Sequence, residues 1–262
     1  LVKMQDFAER VGNGEFDHAI SVFDNEGQLG NSLNDMKQSL NEVAQADVQR
    51  LWVNEGFARF GDILRKHNNI YELGDDLIAQ LVKYVNANQG AIYLKEERKG
   101  SKDEYMHALS CYAYNRKKFV ELEIEWGEGL VGRSWQENDT IFLTEVPDDF
   151  INIRSGLGEA SPRCVLIQPL NYNEETIGVL ELASFEEFAP YQIEFIKKLA
   201  ETIAATIISS FANQKTVVML EEAQQMAEEM KAQEEEMRQN MEELQATQEE
   251  MRRQQAELEK KE

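Results

Sequence analysis

Hydrophobic positions along the chain predict a middle part with strands between two helical ends. In the segment YELGDDLIAQLVKYVNANQ, Leu73, Leu77, Leu81 and Val85 recur at helical spacing, so we predict an amphipathic helix there. After Gly90 the pattern changes to short apolar runs separated by polar turns, which is typical of strands. The predicted strands are GAIYLKEE, EYMHALSCYAY, FVELEIEW, TIFLTEV, RCVLIQPL and TIGVLELASF.

A second helix is predicted to begin at Pro190, because proline is favoured in the first turn of a helix. Its apolar face consists of Ile193, Ile196, Ala200, Ile203 and Ile207. A helix, five or six mostly antiparallel strands and a closing helix predict an α+β fold, in which helices cover one side of an antiparallel sheet.

The segment 213–262 has no glycine, proline or aromatic residue and holds fourteen Glu against seven Lys or Arg. This composition fits either a disordered charged chain or a long solvated helix. A heptad repeat favours the helix, because a disordered tail has no reason to keep a register. The repeated positions are Ala223, Met230, Met237, Leu244, Met251 and Leu258, with Met219 and Met226 at complementary positions. We predict a parallel coiled-coil stalk formed by two copies of the chain.

The N-terminal part, residues 1–47, is predicted to hold a helix ending near Val11, an extended connector and a second, heptad-patterned helix. The heptad positions are Leu29, Leu33, Met36, Leu40 and Val43. Residues 48–69 follow as a helical linker, in which Gly56 and Gly61 each weaken the helix by ~1 kcal/mol relative to alanine. We expect a joint that can bend or repack. Its candidate seam or packing residues are Leu51, Trp52, Phe57, Phe60 and Leu64.

Charge and cysteine content narrow the possible partners. Asp and Glu number 49 against 27 Lys and Arg, a formal net charge of −22, so the chain repels nucleic-acid phosphates and anionic lipid. The two cysteines make neither a disulfide framework nor a metal cluster, which indicates a reducing, cytosolic setting. No apolar run approaches the ~18 residues that cross a bilayer, so we expect no direct membrane insertion.

Three glycines in WGEGLVGRSWQENDTIFLTEVP, at Gly127, Gly129 and Gly132, match the spacing GxGxxG. That motif indicates dinucleotide binding only where it joins a parallel strand to a crossover helix. Here the helical stretch gives way within about one turn to the β-favouring TIFLTEV. A tight turn between a strand and a short helix is therefore the favoured interpretation.

Catalytic motifs are not apparent in the sequence. His18, His67 and His107 lie in separate segments without metal-ligand spacing. The chain shows no ATP lid, Walker loop or nucleophile elbow. We expect no enzymatic activity, no metal and no identified cofactor.

The glycine loop, the strands RCVLIQPL and TIGVLELASF and the closing helix resemble a GAF domain across residues 70–212. GAF domains are small-molecule sensors and dimerisation modules, often in bacterial signalling proteins. The resemblance implies a cavity between the sheet and the loop at 148–160 that could hold an unknown small molecule. Its candidate lining residues are Trp126, Arg133, Trp135 and Cys111. The alternative is that the two tryptophans and the cysteine belong to the core and that the arginine is a solvated rim residue.

Residues 1–47 resemble a HAMP domain, a parallel four-helix bundle made by two copies, with the first helix truncated. An unrelated helical hairpin is the alternative. In that family the domain usually lies just inside the membrane, so the resemblance implies an upstream transmembrane or input domain and a cytoplasmic position. The chain begins with Leu1 inside a heptad-like pattern, and we interpret it as a piece of a longer protein.

These features predict a homodimeric signalling segment with four parts: a HAMP domain (1–47), a helical linker (48–69), a GAF domain (70–212) and a coiled-coil output stalk (213–262). It would belong to a bacterial membrane-anchored sensor, such as a two-component system. Membrane-side or ligand signals would pass through the paired helices to an effector, for example a histidine kinase or a PAS-linked output. The alternative is a structural dimerisation spacer that binds no ligand.

Overall fold

The computed structural model describes residues 28–67, 69–98, 100–113, 116–118, 123–146, 153–155 and 158–259. The predicted first HAMP helix and its connector, residues 1–27, lie outside the described residues. The described helices are α1 (Gln28–Lys66), α2 (Ile70–Tyr84), α3 (Gly129–Glu137) and α4 (Pro190–Glu259). The described strands are β1 (Gln89–Glu97), β2 (Glu104–Ala113), β3 (Arg116–Lys118), β4 (Glu123–Ile124), β5 (Ile141–Leu143), β6 (Ile153–Ser155), β7 (Gly158–Ala160), β8 (Cys164–Tyr172) and β9 (Glu175–Ser184).

The central element is a seven-stranded sheet with the order β3-β2-β1-β9-β8-β5, and β4 also pairs with β2. Its strand pairs are antiparallel, which confirms the predicted α+β class. Of the predicted strand FVELEIEW, the first four residues lie outside the described part of the chain and the rest contributes β4. The predicted strand TIFLTEV is shorter than expected, since it contributes only β5. β5 lies at the edge of the sheet, where a strand has a neighbour on one side alone and is commonly short.

The predicted amphipathic helix is α2, and it covers one face of the sheet. Asn69 caps it by accepting hydrogen bonds from the backbone N–H groups of Tyr71 and Glu72, at 2.8 and 3.4 Å. Close approach to the sheet depends on Gly90, where a Cβ atom would lie 2.8 Å from side-chain carbons of both Ile78 and Leu182. The sheet face that contains Gly90 and Leu182 is therefore the α2 face.

An aromatic cluster joins α1 to α2 and to the first turns of α4. The ring of Trp52 lies 4.5 Å from that of Tyr84 and 5.1 Å from that of Phe195, between centroids. α1 runs through the predicted boundary between residues 47 and 48 without a break. Gly56 is buried in this helix, and a Cβ atom there would lie 2.7 Å from Phe195. At Gly56 the missing side chain thus permits close packing, a role that the expectation of a bendable joint had not included.

The chain divides into two compact units between Thr206 and Ile207. α4 begins in the first unit, where its buried residues follow helical spacing: Phe195, Ile196, Leu199, Ala200, Ile203 and Ala204. In the second unit Ile207 is buried, whereas residues 211–253 are all exposed.

Within the described residues, Pro190–Arg253 of α4 contains one stretch that is apolar enough to cross a membrane by length and composition. Only 17% of the stretch is buried. The core helix of a soluble protein can meet the same criteria, so this is weak evidence for a membrane span.

Candidate functional site

The sheet face opposite α2 carries an apolar cluster beneath α3, and we call it the α3 face. Successive strand residues point to opposite faces, so Ala91 and Ala183 lie on this side while Gly90 and Leu182 face α2. The buried members of the cluster are Ala91, Tyr93, Met106, Ile124, Val131, Trp135, Val165, Ile167, Val179 and Ala183.

One carboxylate, that of Glu181, stands on the α3 face among these apolar residues. Ala91 of β1 and Ile167 of β8 lie directly across from it in the neighbouring strands. Val179 and Ala183 flank it along β9, on the same face. Glu181 is half-buried. An acidic side chain in such surroundings needs a hydrogen-bond partner or a counter-charge.

Tyr93 supplies a hydrogen bond to that carboxylate. Its hydroxyl donates to Oε2 of Glu181 at 2.9 Å, and its ring is 6% exposed. Burial raises the pKa of Glu181, and the hydrogen bond from Tyr93 opposes this in part. Burial also raises the pKa of Tyr93, and the adjacent Glu181 charge raises it further. Tyr93 therefore keeps its proton and acts as a donor.

Two of the predicted pocket residues belong to this face. Cys111 of β2 pairs with Ala91, which in turn pairs with Glu181, so the three lie in one row across the sheet. Cys111 is half-buried and packs against the apolar cluster. Trp135 is 4% exposed and is a member of the cluster.

The other two predicted pocket residues lie at the surface. Trp126 is 53% exposed and meets Trp135 edge to face, with 4.7 Å between ring centroids. Arg133 is exposed, and its Nε donates to Oε1 of Glu137 at 2.8 Å, one helical turn further along. The guanidinium of Arg133 is thus engaged in a surface ion pair.

The backbone conformation of the loop requires the three glycines of the GxGxxG spacing. Gly127 and Gly129 have φ values of 78° and 62°, in the left-handed region that favours glycine. At Gly132 a Cβ atom would lie 2.4 Å from the carbonyl oxygen of Glu125. Since α3 has nine residues and leads into the antiparallel strand β5, the loop has the predicted form of a tight turn before a short helix.

Among the described residues, no group of three or more His, Cys, Asp or Glu side chains is placed to hold a metal ion. The two cysteines, Cys111 and Cys164, are not joined by a disulfide bond.

A GAF domain family model matches residues 67–207, more than half of the chain. The chain belongs to the GAF domain family. GAF domains are typically signalling or ligand-binding sensor domains. No curated protein matches the chain.

Solved GAF-fold structures resemble this chain. The GAF domain from a phosphoenolpyruvate-protein phosphotransferase of Coxiella burnetii is 20% identical with a TM-score of 0.53, and the match covers 63% of this chain and 98% of that one. A free methionine-R-sulfoxide reductase from Neisseria meningitidis, solved with its substrate, is 15% identical with a TM-score of 0.50, and the match covers 62% of this chain and 91% of that one. At these identities the likeness shows the fold alone.

The heptad residues outside the GAF sheet are exposed in a single copy of the chain. Met36, Leu40 and Val43 of α1 are 53%, 37% and 58% exposed. On α4 the large heptad side chains are more than half exposed: Met219, Met226, Met230, Met237, Leu244 and Met251. Ala223 is exposed as well. The side chains of Leu29, Leu33 and Leu258 lie outside the described part of the chain.

Sequence reasoning missed Glu181 and Tyr93, the central polar pair of the GAF domain's α3 face. Alternation along VLELAS was the available signal, because it sets Glu181 on the same face as Val179 and Ala183. Tyr93 carried no comparable signal, since its position beside Glu181 depends on the pairing of β1 with β9.

Proposed function

We propose that this GAF chain is the sensing and relay segment of a signalling protein, acts as a parallel homodimer and has no catalytic activity of its own. The observation that carries the proposal is the apolar stripe on α4, where Met219, Met226, Met230 and Met237 are each more than half exposed in one copy. Apolar side chains repeated every seven residues are stabilised when a second helix covers them. A second copy of the chain brings an identical stripe.

The charges beside this stripe favour a parallel pair. The position preceding each repeated apolar residue is glutamate in five successive heptads: Glu222, Glu229, Glu236, Glu243 and Glu250. In a parallel pair these face Ala227, Glu234, Met241, Gln248 and Gln255 of the second copy, so one of the five contacts sets glutamate against glutamate. An antiparallel pair would set the glutamate rows against each other, which like-charge repulsion opposes.

The relay rests on a change of face along α4. Ile196, Ala200 and Ile203 are buried within the GAF unit. Ile207 and Ala223 are separated by sixteen positions, which is no multiple of seven, so the stripe for the partner helix is rotated from the stripe for the sheet. A small shift in the sheet would then alter the register of the seam between two packings of similar energy.

The proposal extends to the parent protein. The exposed stripe Met36, Leu40 and Val43 on α1 supports a second paired segment, in the place of the HAMP-like part. An input from the membrane side, or a ligand of the GAF domain, would act on the paired helices, and an effector such as a histidine kinase would receive the change. The segment would then lie on the cytoplasmic side of a bacterial membrane-anchored sensor.

Cysteine cross-linking tests the seam. On a Cys111→Ala, Cys164→Ala background, single cysteines replace Met219, Ala223 and Met226, and the matched controls are Glu221→Cys and Glu228→Cys on the outer face of the same helix. Disulfide formation between copies should be strong at the seam positions and weak at the two controls. The background protein without an added cysteine reports any other cross-link.

Two results would contradict the proposal. Equal cross-linking at Glu221 and at Met219 would show that α4 does not form a two-helix seam. A monomer by light scattering at tens of micromolar, where an affinity of ~1 μM would be visible, would exclude the dimer itself. A dimerisation spacer would give the same cross-links, and only a ligand-binding experiment separates it from a sensor.

A further inference from the structure

Glu181 is an uncommon kind of residue for the middle of an apolar sheet face. Glutamate is almost never buried without a partner, because taking a carboxylate from water into apolar surroundings is costly. Four apolar residues surround it on its own face: Ala91, Ile167, Val179 and Ala183. A glutamate at this position lowers the stability of the fold, and this cost points to a role in binding.

The hydrogen-bonding capacity of Glu181 is only partly used. An ionised carboxylate accepts about four hydrogen bonds. Among the described residues, Tyr93 provides a single donor, and no Lys, Arg or His forms an ion pair with Glu181. Glu181 is half-buried whereas Tyr93 is buried, so the Glu181 residue is not fully enclosed by the protein.

We propose that Glu181 binds the protonated amine of a small ligand whose apolar part lies on the α3 face of the GAF domain. The inference rests on the proposed function, since it names the ligand class of the sensing role. Ammonium N–H groups would supply the donors that the carboxylate lacks, in charge-assisted hydrogen bonds. Hydrocarbon of the ligand would contact the partly buried apolar residues beside the cluster, such as Ala108, Cys111 and Leu130.

Other ligand classes fit less well. A calcium or magnesium ion needs several oxygen ligands, and Glu181 is the single carboxylate on this face among the described cluster residues and their row partners. An anion would be repelled by Glu181 and by the formal net charge of −22. A neutral alcohol would donate one hydrogen bond without charge.

Three probes with one carbon skeleton distinguish these classes: isoamylamine, isoamyl alcohol and isovalerate. Their binding to the full chain is measured by ligand-observed NMR and calorimetry at neutral pH. The amine should bind at least about tenfold more tightly than the alcohol, since a charge-assisted hydrogen bond is roughly twice as strong as a neutral one. Isovalerate should show no binding. This comparison needs no substitution and so does not depend on a variant that folds.

Glu181→Gln then removes the charge and keeps the shape of the side chain and an acceptor for Tyr93. The amine affinity should fall to that of the alcohol, while the alcohol affinity stays unchanged. Glu201→Gln, at an exposed position of α4, is the matched control and should alter neither.

The inference is overturned if the three probes bind equally, if the amine does not bind up to about 10 mM, or if Glu181→Gln retains the amine affinity. Seam cross-linking without amine binding would preserve the relay and remove this inference. Amine binding without seam cross-linking would preserve the site and remove the relay.

Discussion

Gly56 and Gly61 of α1 should respond to replacement by alanine with stability changes of opposite sign. At Gly56 a Cβ atom would lie 2.7 and 2.8 Å from ring carbons of Phe195 and 2.9 Å from a ring carbon of Tyr84. Ordinary carbon contacts are ~3.5–4.0 Å, so the overlap is substantial. Phe195 is 1% exposed and packs against Trp52, which leaves its ring little room to move. At Gly61 the nearest atom is the Arg65 guanidinium, at 3.5 Å, at the end of an exposed side chain.

The expected free energies follow from these contacts. Alanine in place of glycine within a helix stabilises by ~1 kcal/mol, and Gly61→Ala should show that gain. Gly56→Ala has the same propensity gain but also overpacks a filled interface, at a cost of ~1–3 kcal/mol. The two variants should therefore differ by about 1–3 kcal/mol in unfolding free energy, with Gly56→Ala the less stable.

Urea and thermal unfolding, followed by circular dichroism, measure this difference. Each 1 kcal/mol should shift the melting temperature by about 2–4 °C for a chain of this size. Equal midpoints for Gly56→Ala and Gly61→Ala would refute the packing of α1 against Phe195 in solution. Both variants carry the same gain in helix propensity. An equal increase in stability would therefore mean that the clash of the Gly56→Ala side chain with Phe195 is absent.

Three further results are expected. Gly132→Ala should destabilise the GAF domain far more than Gly129→Ala, because the Gly129 change costs only the ~1–2 kcal/mol of left-handed backbone strain. Calorimetry with ATP and GTP should show no binding that either substitution removes. Burial raises the pKa of Glu181 above its ordinary value near 4.5, so the folded chain holds this proton more tightly than the unfolded chain. The resulting stabilisation is fully present below the ordinary pKa and is lost as the pH rises through the pKa of the folded state. The unfolding free energy of Glu181→Gln, measured in urea at neutral pH, should therefore match or exceed that of the wild type, and this advantage should shrink toward acid pH. An advantage that grows toward acid pH would contradict this expectation. Truncation after Ala212 should weaken dimerisation in light scattering and leave the main thermal transition in place, and loss of that transition would contradict a modular GAF unit.

The sequence by itself determined the elements whose signal is local. Helical spacing identified α2 and the start of α4 at Pro190, and short apolar runs between polar turns identified β1, β2, β8 and β9. Burial of one helix face produces the helical spacing, and burial of both sheet faces produces the continuous apolar runs, so both patterns can be read without knowledge of what packs against what. The order of the strands and the glycine loop also sufficed to recognise a GAF domain. The heptad of α4 was readable for the same reason, although its pairing remains a proposal.

Only the tertiary structure decided which distant residues meet. Glu181 and Tyr93 lie 88 positions apart, and the pairing of β1 with β9 places the phenol within hydrogen-bond distance of the carboxylate. Gly56 reads as a helix-weakening residue until Phe195 is brought against it. Cys111 shares a row with Glu181, whereas Arg133 faces solvent, and nothing in their local sequence separates the two cases. Contacts of this kind depend on the register of the strands and on how closely the helices approach the sheet. Both are properties of the whole fold, because they are set by the burial of all its apolar surfaces together.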